Sequence, residues 1–139
     1  MKNPKAIQKA FTLIEVLLAI FILEIGLLGI AGFYASSFKI TKMARNETTA
    51  ANLANGLLDE QLAISYDNLA VGTGIRTKYS TDVNDPFYTW EKRIDISYVD
   101  ANLVEQTAET NMKKIIVTIF WQETDDERSF QTASIKAKH

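Results

Sequence analysis

Residues 11–35 read FTLIEVLLAIFILEIGLLGIAGFYA, a run that is apolar throughout except for Glu15 at its fifth position and Glu24 at its fourteenth. As an α-helix rising ~1.5 Å per residue it reaches roughly 37 Å, enough to cross a bilayer core of about 30 Å with some tilt. A lone membrane span has no reason to keep two acids. At about 100° per residue, Glu15 and Glu24 point to opposite sides, while Gly26 and Gly29 fall within roughly 40° of the Glu15 direction. The acids therefore cannot share one partner, and a stripe joining a carboxylate to glycines suits close approach of another helix. The spacing of Gly26, Gly29 and Gly32 also marks this segment for local unwinding, since each glycine weakens an isolated helix by roughly 1 kcal/mol relative to alanine.

Ahead of this run stand residues 1–10, MKNPKAIQKA, with Lys2, Lys5 and Lys9 and no acid. They form a targeting-type leader, but an ordinary secretory signal would follow it with an apolar core of ~7–15 residues and a small-residue cleavage site. Gly29-Ile30-Ala31 imitates such a site, yet the apolar run is too long and holds both acids. Lysines and arginines are balanced across the run, with Lys39, Lys42 and Arg45 on its far side, so the positive-inside rule leaves orientation tied.

The junction Lys9-Ala10-Phe11-Thr12-Leu13-Ile14-Glu15-Val16 resembles the N-terminus of type IV prepilins and of the pseudopilins of type II secretion. The resemblance covers residues 1 to about 35. It implies a cut by a prepilin peptidase between Ala10 and Phe11, and N-methylation of the new Phe11 terminus. It also implies an assembly salt bridge from Glu15 to the Phe11 amine of a neighbouring subunit. The family usually has glycine where this chain has Ala10, which bears on the efficiency of processing. The continuation LEIGLLGIAG, Leu23 to Gly32, looks most like PilV-type minor pilins, and in such filaments the middle of the N-terminal helix loses regular structure. No role follows for Glu24.

The rest of the chain excludes more than it identifies. Fifteen basic against seventeen acidic residues, a net charge of -2, provide no basic field for nucleic acid. The absence of cysteine rules out disulfides, thiolate metal sites and a cysteine nucleophile; the only histidine is the last residue, His139, which argues against a Ser-His-Asp triad and a histidine-rich metal site. Gly72-Thr73-Gly74 lacks the Gly-Lys-Ser/Thr continuation of a phosphate loop. Asp125, Asp126 and Glu127 read as solvent-facing acids at a hairpin tip rather than a calcium site. No catalytic constellation is present, and neither a cofactor nor a metal is expected.

Residues 36–68 continue the helix amphipathically. Ala50, Ala51, Leu53, Ala54, Leu57, Leu58, Leu62 and Ile64 form a stripe built to lie on a sheet, with Asn52, Asn55 and Asp59 opposite. Asn46-Glu47-Thr48 meets a glycosylation pattern, but on a helix such a match is usually accidental. Residues 69–86 read as a connecting loop, with Ile75, Thr77 and Tyr79 alternating as a possible short strand. From residue 87 the period becomes two: Tyr88, Trp90, Ile94, Ile96 and Tyr98 share one face, and Ile115, Val117, Ile119 and Trp121 another. A polar turn over Gln122 to Glu127 leads into a last strand, Arg128 to Ala137. There the opposite parity of Phe130 and Ile135 calls for a bulge or a two-sided face.

The expected fold is α+β, a pilin-like ladle: one long N-terminal helix whose second half packs on an antiparallel sheet of three or four strands. The expected function is that of a minor pilin of a type IV pilus, without enzymatic activity. Its first half would sit in the bacterial inner membrane with a cytoplasmic N-terminus and a periplasmic C-terminal domain. Its partners would be the prepilin peptidase, the inner-membrane assembly platform and other pilins or pseudopilins. The rival readings are a minor pseudopilin of a type II secretion system and a single-span, membrane-anchored periplasmic binding module.

Overall fold

The computed structural model describes residues 11–123 and 126–138. The leader 1–10, Asp125 and His139 lie outside the described residues. Helix α1 runs from Leu13 to Ala63, followed by a 3-10 turn over Tyr66–Asn68 and five strands: β1 (Thr77–Lys78), β2 (Glu91–Val99), β3 (Glu105–Gln106), β4 (Met112–Glu123) and β5 (Asp126–Ala137). The chain divides into two compact units between Lys42 and Met43, and α1 contributes to both.

In the second unit the α1 stripe meets the sheet. Ala50 and Ala54 are fully buried, and Leu57 and Leu58 nearly so, against Ile96, Ile115, Val117, Ile119, Trp90 and Trp121. The small alanines let the helix backbone come close to the strands, while the indoles of Trp90 and Trp121 stack at 5.4 Å. The expected faces of β2 and β4 are the ones buried, because Ile94↔Val117 and Ile96↔Ile115 pair across the ladder. Asn46, the asparagine of the glycosylation-like triplet, is half-buried and donates its side-chain amide to Glu123 at 3.0 Å.

The sheet differs from the expected three or four strands: it has five, in the order β1-β2-β4-β5, with β3 pairing on β2. Of the two short strands, β1 lies within the expected Ile75–Tyr79 alternation, whereas β3, Glu105–Gln106, was not expected and is too short for any period to show. The polar turn is also tighter than read, since the β4–β5 ladder holds one register through twelve pairs from Met112↔Ala137 to Glu123↔Asp126. That constant register excludes a bulge. Phe130 faces the core opposite Ile119, Ile135 lies on the outer face opposite Lys114, and the strand is two-sided. Tyr88 precedes β2 in a turn closed by its own N–H on the Asp85 carbonyl at 3.0 Å, so it is not a strand residue.

The α-helix ends at Ala63, short of the 36–68 continuation, and Ile64 is exposed rather than part of the stripe. The reason lies in the sheet. The last turn of α1 carries no basic residue, and Ser65 is extended (φ -60°, ψ 151°). Lys136 of β5 donates its ammonium to the Leu62 carbonyl at 2.5 Å, and Lys113 of β4 donates to the carbonyls of Tyr66 (2.7 Å) and Leu69 (2.8 Å). The two lysines are direct cross-strand partners, a like-charge pairing that is unfavourable by itself. The carbonyls of Leu62, in the last turn, and of Tyr66 and Leu69 just beyond it, where the macrodipole is negative, resolve it. Lys113 is only 4% exposed and also lies 4.2 Å from the centre of the Tyr66 ring. Lys113→Met should therefore lower unfolding stability by about 2 kcal/mol or more through the loss of both ammonium bonds, to the Tyr66 and the Leu69 carbonyls. Urea unfolding of the full chain in detergent checks this, with an unchanged midpoint as the opposing result.

On the outer face, Arg76 crosses from the loop before β1 to lie 4.0 Å from the Phe120 ring centre and forms ion pairs with Glu91 and Glu127. Hydrogen bonding from Arg76 holds the Glu127 carboxyl below its ordinary value. A carboxyl with a lowered folded pKa contributes stability that is present above its unfolded value and lost as pH falls through the folded one. The stability difference between the wild type and Arg76→Ala should accordingly shrink between about pH 6 and about pH 3. A difference independent of pH would show that the pairing contributes nothing.

Candidate functional site

The first unit holds the N-terminal part of α1, an apolar surface with no cover from the described chain. An 18-residue window there has a mean hydropathy of 2.6 and none of it is buried, so the helix is long and apolar enough to cross a membrane. Phe11 and Thr12 precede the helix, which begins at Leu13. The Glu15 N–H donates to both the Thr12 carbonyl (3.1 Å) and the Thr12 hydroxyl (3.3 Å), and the Val16 N–H donates to the same carbonyl at 3.3 Å. Thr12 is thus the N-cap and Glu15 the third helical residue, the T-x-x-E spacing of a capping box, of which the structure forms the Thr12 half. The T-x-x-E spacing is present in the sequence itself, alongside the charge of Glu15.

This geometry fixes two properties of the site. Glu15 stands in the first turn, where the positive end of the helix dipole stabilises an anion. It also lines a groove of about 360 Å³ with Phe11, Val16, Ala19, Ile20 and Leu23, and among the described residues is the one charged group lining it. Side chains at i and i+4 form the walls and Ala19 leaves the middle shallow. A carboxylate in an apolar groove calls for a cation that arrives with an apolar surface.

Gly26, Gly29 and Gly32 lie within the unbroken helix, and a Cβ added at any of them would meet nothing within 4 Å. Nothing in the described chain demands glycine there. Glu24 is exposed on the helix, and the structure gives it no partner role either. Ala10 lies outside the described residues.

Residues 5–31 match the family model described as the prokaryotic N-terminal methylation motif. The chain carries that motif, and the match supports the type IV prepilin and pseudopilin family, a pilin-like protein processed by prepilin peptidase. The motif belongs to structural pilin-type proteins, and with the apolar helix it fits a membrane-anchored pilin that assembles with others. The PilV-type likeness is not reached by this match. No curated protein and no solved structure matches the chain significantly.

Thr12→Val removes the capping oxygen and should cost the helix start about 1 kcal/mol. Amide exchange at Glu15 and Val16 in detergent micelles should then quicken several-fold, whereas unchanged exchange would deny the cap its role.

Proposed function

We propose that this chain is a minor subunit of a type IV pilus, cut between Ala10 and Phe11, methylated at Phe11 and assembled through α1. It is stored in the bacterial inner membrane with its N-terminus in the cytoplasm and its sheet in the periplasm, and is then extracted into the filament by the assembly platform. The observation that carries this reading is the methylation motif across the Ala10–Phe11 junction, joined to a helix whose first turn holds Glu15.

The chemistry follows from that junction. Cutting before Phe11 places a new ammonium two residues ahead of the helix, and methylation leaves it cationic. In lipid, Glu15 sits near the membrane edge, because a charge at the centre of a span costs about 2.5–3.5 kcal/mol. In a filament, the Phe11 amine of a neighbour meets Glu15, with the Phe11 ring against the apolar walls around it. Such contacts are head-to-tail and non-closing, the symmetry a filament requires. Gly26 and Gly29, within roughly 40° of the same face, let the neighbouring helix backbone come close, and with Gly32 they supply the weak point at which the helix loosens on assembly.

Two measurements test the proposal. The protein recovered from membranes containing an active prepilin peptidase should have lost residues 1–10 and gained one methyl group; an intact Met1 would overturn it. Glu15→Leu should insert in the membrane as well as wild type but enter filaments at least about tenfold less, the scale of one lost charge pair. Incorporation into a type II secretion pseudopilus instead would assign the chain to that apparatus.

A further inference from the structure

Residues 25–46 contain Lys39, Lys42 and Arg45 and no acid. Lys39 and Lys42 belong to the first unit, stand one turn apart on α1 and are exposed, and neither forms an ion pair among the described residues. No acid stands three or four residues from either, where a helix would set one beside them; the two lysines are instead each other's neighbours, a like-charge spacing that disfavours the helix. The Lys113–Lys136 pair in the sheet relieves such a repulsion on backbone carbonyls past a helix end. Around Lys39 and Lys42 the carbonyls are engaged within an unbroken helix. Relief there calls for an anion from outside the chain.

Depth identifies the anion. At ~1.5 Å per residue, Lys39 stands roughly 36 Å along the helix from Glu15 and Lys42 roughly 40 Å. With Glu15 at one edge of a hydrocarbon core of about 30 Å, both lie about 6–10 Å past the other edge, from where their long side chains reach the headgroup layer. Tyr34 and Phe38, 61% and 74% exposed, run lengthwise towards Lys42, since each step of four residues turns the helix direction by only about 40°. Lys39 stands about 60° to the side of Lys42. Going outward, the surface thus presents aromatic rings and then ammoniums, the order in which a phospholipid presents acyl chain, glycerol and phosphate.

Charge narrows the choice further. In the orientation proposed above this flank is exported, where lysines count against insertion, and the proposed cut would remove Lys2, Lys5 and Lys9 from the opposite flank. A second copy stored in the same orientation would bring the same acid-free turn to the same depth and be repelled. Inorganic phosphate would leave the two aromatic rings uncovered. A zwitterionic headgroup carries an ammonium of its own, so only an anionic lipid offers net negative charge to both lysines.

We propose that Lys39 and Lys42 bind the phosphate of an anionic phospholipid in the periplasmic leaflet, with Tyr34 and Phe38 along its glycerol and upper acyl chains, and that this lipid fixes the depth at which the subunit is stored. The proposal rests on the membrane-storage reading above.

Photolabelling of the processed full-length chain in phosphatidylcholine bilayers tests it, with a trace of either phosphatidylglycerol or phosphatidylcholine carrying a photoactivatable group near the phosphate. Peptide mass mapping should find residues 34–42 labelled about tenfold more by phosphatidylglycerol, the scale of two lysines at an anionic surface. Lys39→Gln combined with Lys42→Gln should bring the two yields together. Equal labelling of the wild type by both lipids, or an undiminished preference in the double variant, would overturn the proposal while leaving membrane storage intact; a chain that does not insert in the bilayer at all would overturn both. Loss of the preference to millimolar inorganic phosphate at constant ionic strength would show a free-anion site, against the proposal. Lysine-to-lysine cross-links joining two chains through Lys39 or Lys42, equally abundant with and without phosphatidylglycerol, would put a second copy there, also against it.

Discussion

Eighteen large apolar side chains between Phe11 and Ile40 stand open to their surroundings, and no other part of the described chain covers them. Burying such a side chain is worth about 1.5–3 kcal/mol, so leaving the whole set in water would forgo of the order of tens of kcal/mol, more than the 5–15 kcal/mol by which a domain is ordinarily stable. This surface must always be covered from outside, by lipid or by other helices. Everything else follows from that constraint. The Thr12 hydroxyl caps the Glu15 N–H, Glu15 is placed where the dipole favours its charge, and a Cβ at Gly26, Gly29 or Gly32 would meet nothing within 4 Å among the described residues.

The same helix meets the opposite condition beyond Met43. There its stripe combines alanine with leucine and is covered by the sheet, and its end is held by Lys113 and Lys136 from two adjacent strands. The first unit is thus defined by what it lacks and the second by what it satisfies internally. Such a division suits the proposed subunit, whose apolar surface would pass from lipid to other helices on assembly while the sheet keeps its own core.

Much of this was legible in the sequence for physical reasons. FTLIEV after a basic leader is a dense motif, the period-two runs at Ile94–Ile96 and Ile115–Trp121 fix which strand faces are buried, and the Ala50–Leu62 stripe fixes the helix face. The helix end was not legible, because it is set by lysines some fifty and more residues downstream that no local signal connects to Ala63. The two-residue β3 is held by backbone bonds that leave no side-chain period, whereas β1 falls within the alternation of Ile75, Thr77 and Tyr79. Ile135 broke parity because the outer face has its own apolar groove beneath Leu103, a contact that only the folded chain creates. Thr12 is a different case, since its capping spacing was present and readable. Glu24 lies opposite Glu15 on the helix, and neither sequence nor structure assigns it a partner.

The proposed function turns on a pairing of Glu15 with the N-terminus of another subunit. Filaments assembled from a mixture of this chain carrying ¹³C at the Glu15 carboxyl and neighbouring subunits carrying ¹⁵N at their N-terminal amine allow that distance to be measured by solid-state NMR. A separation of about 4 Å, the range of an ion pair, is the result required. A separation beyond about 8 Å, where no direct pairing can exist, would contradict it.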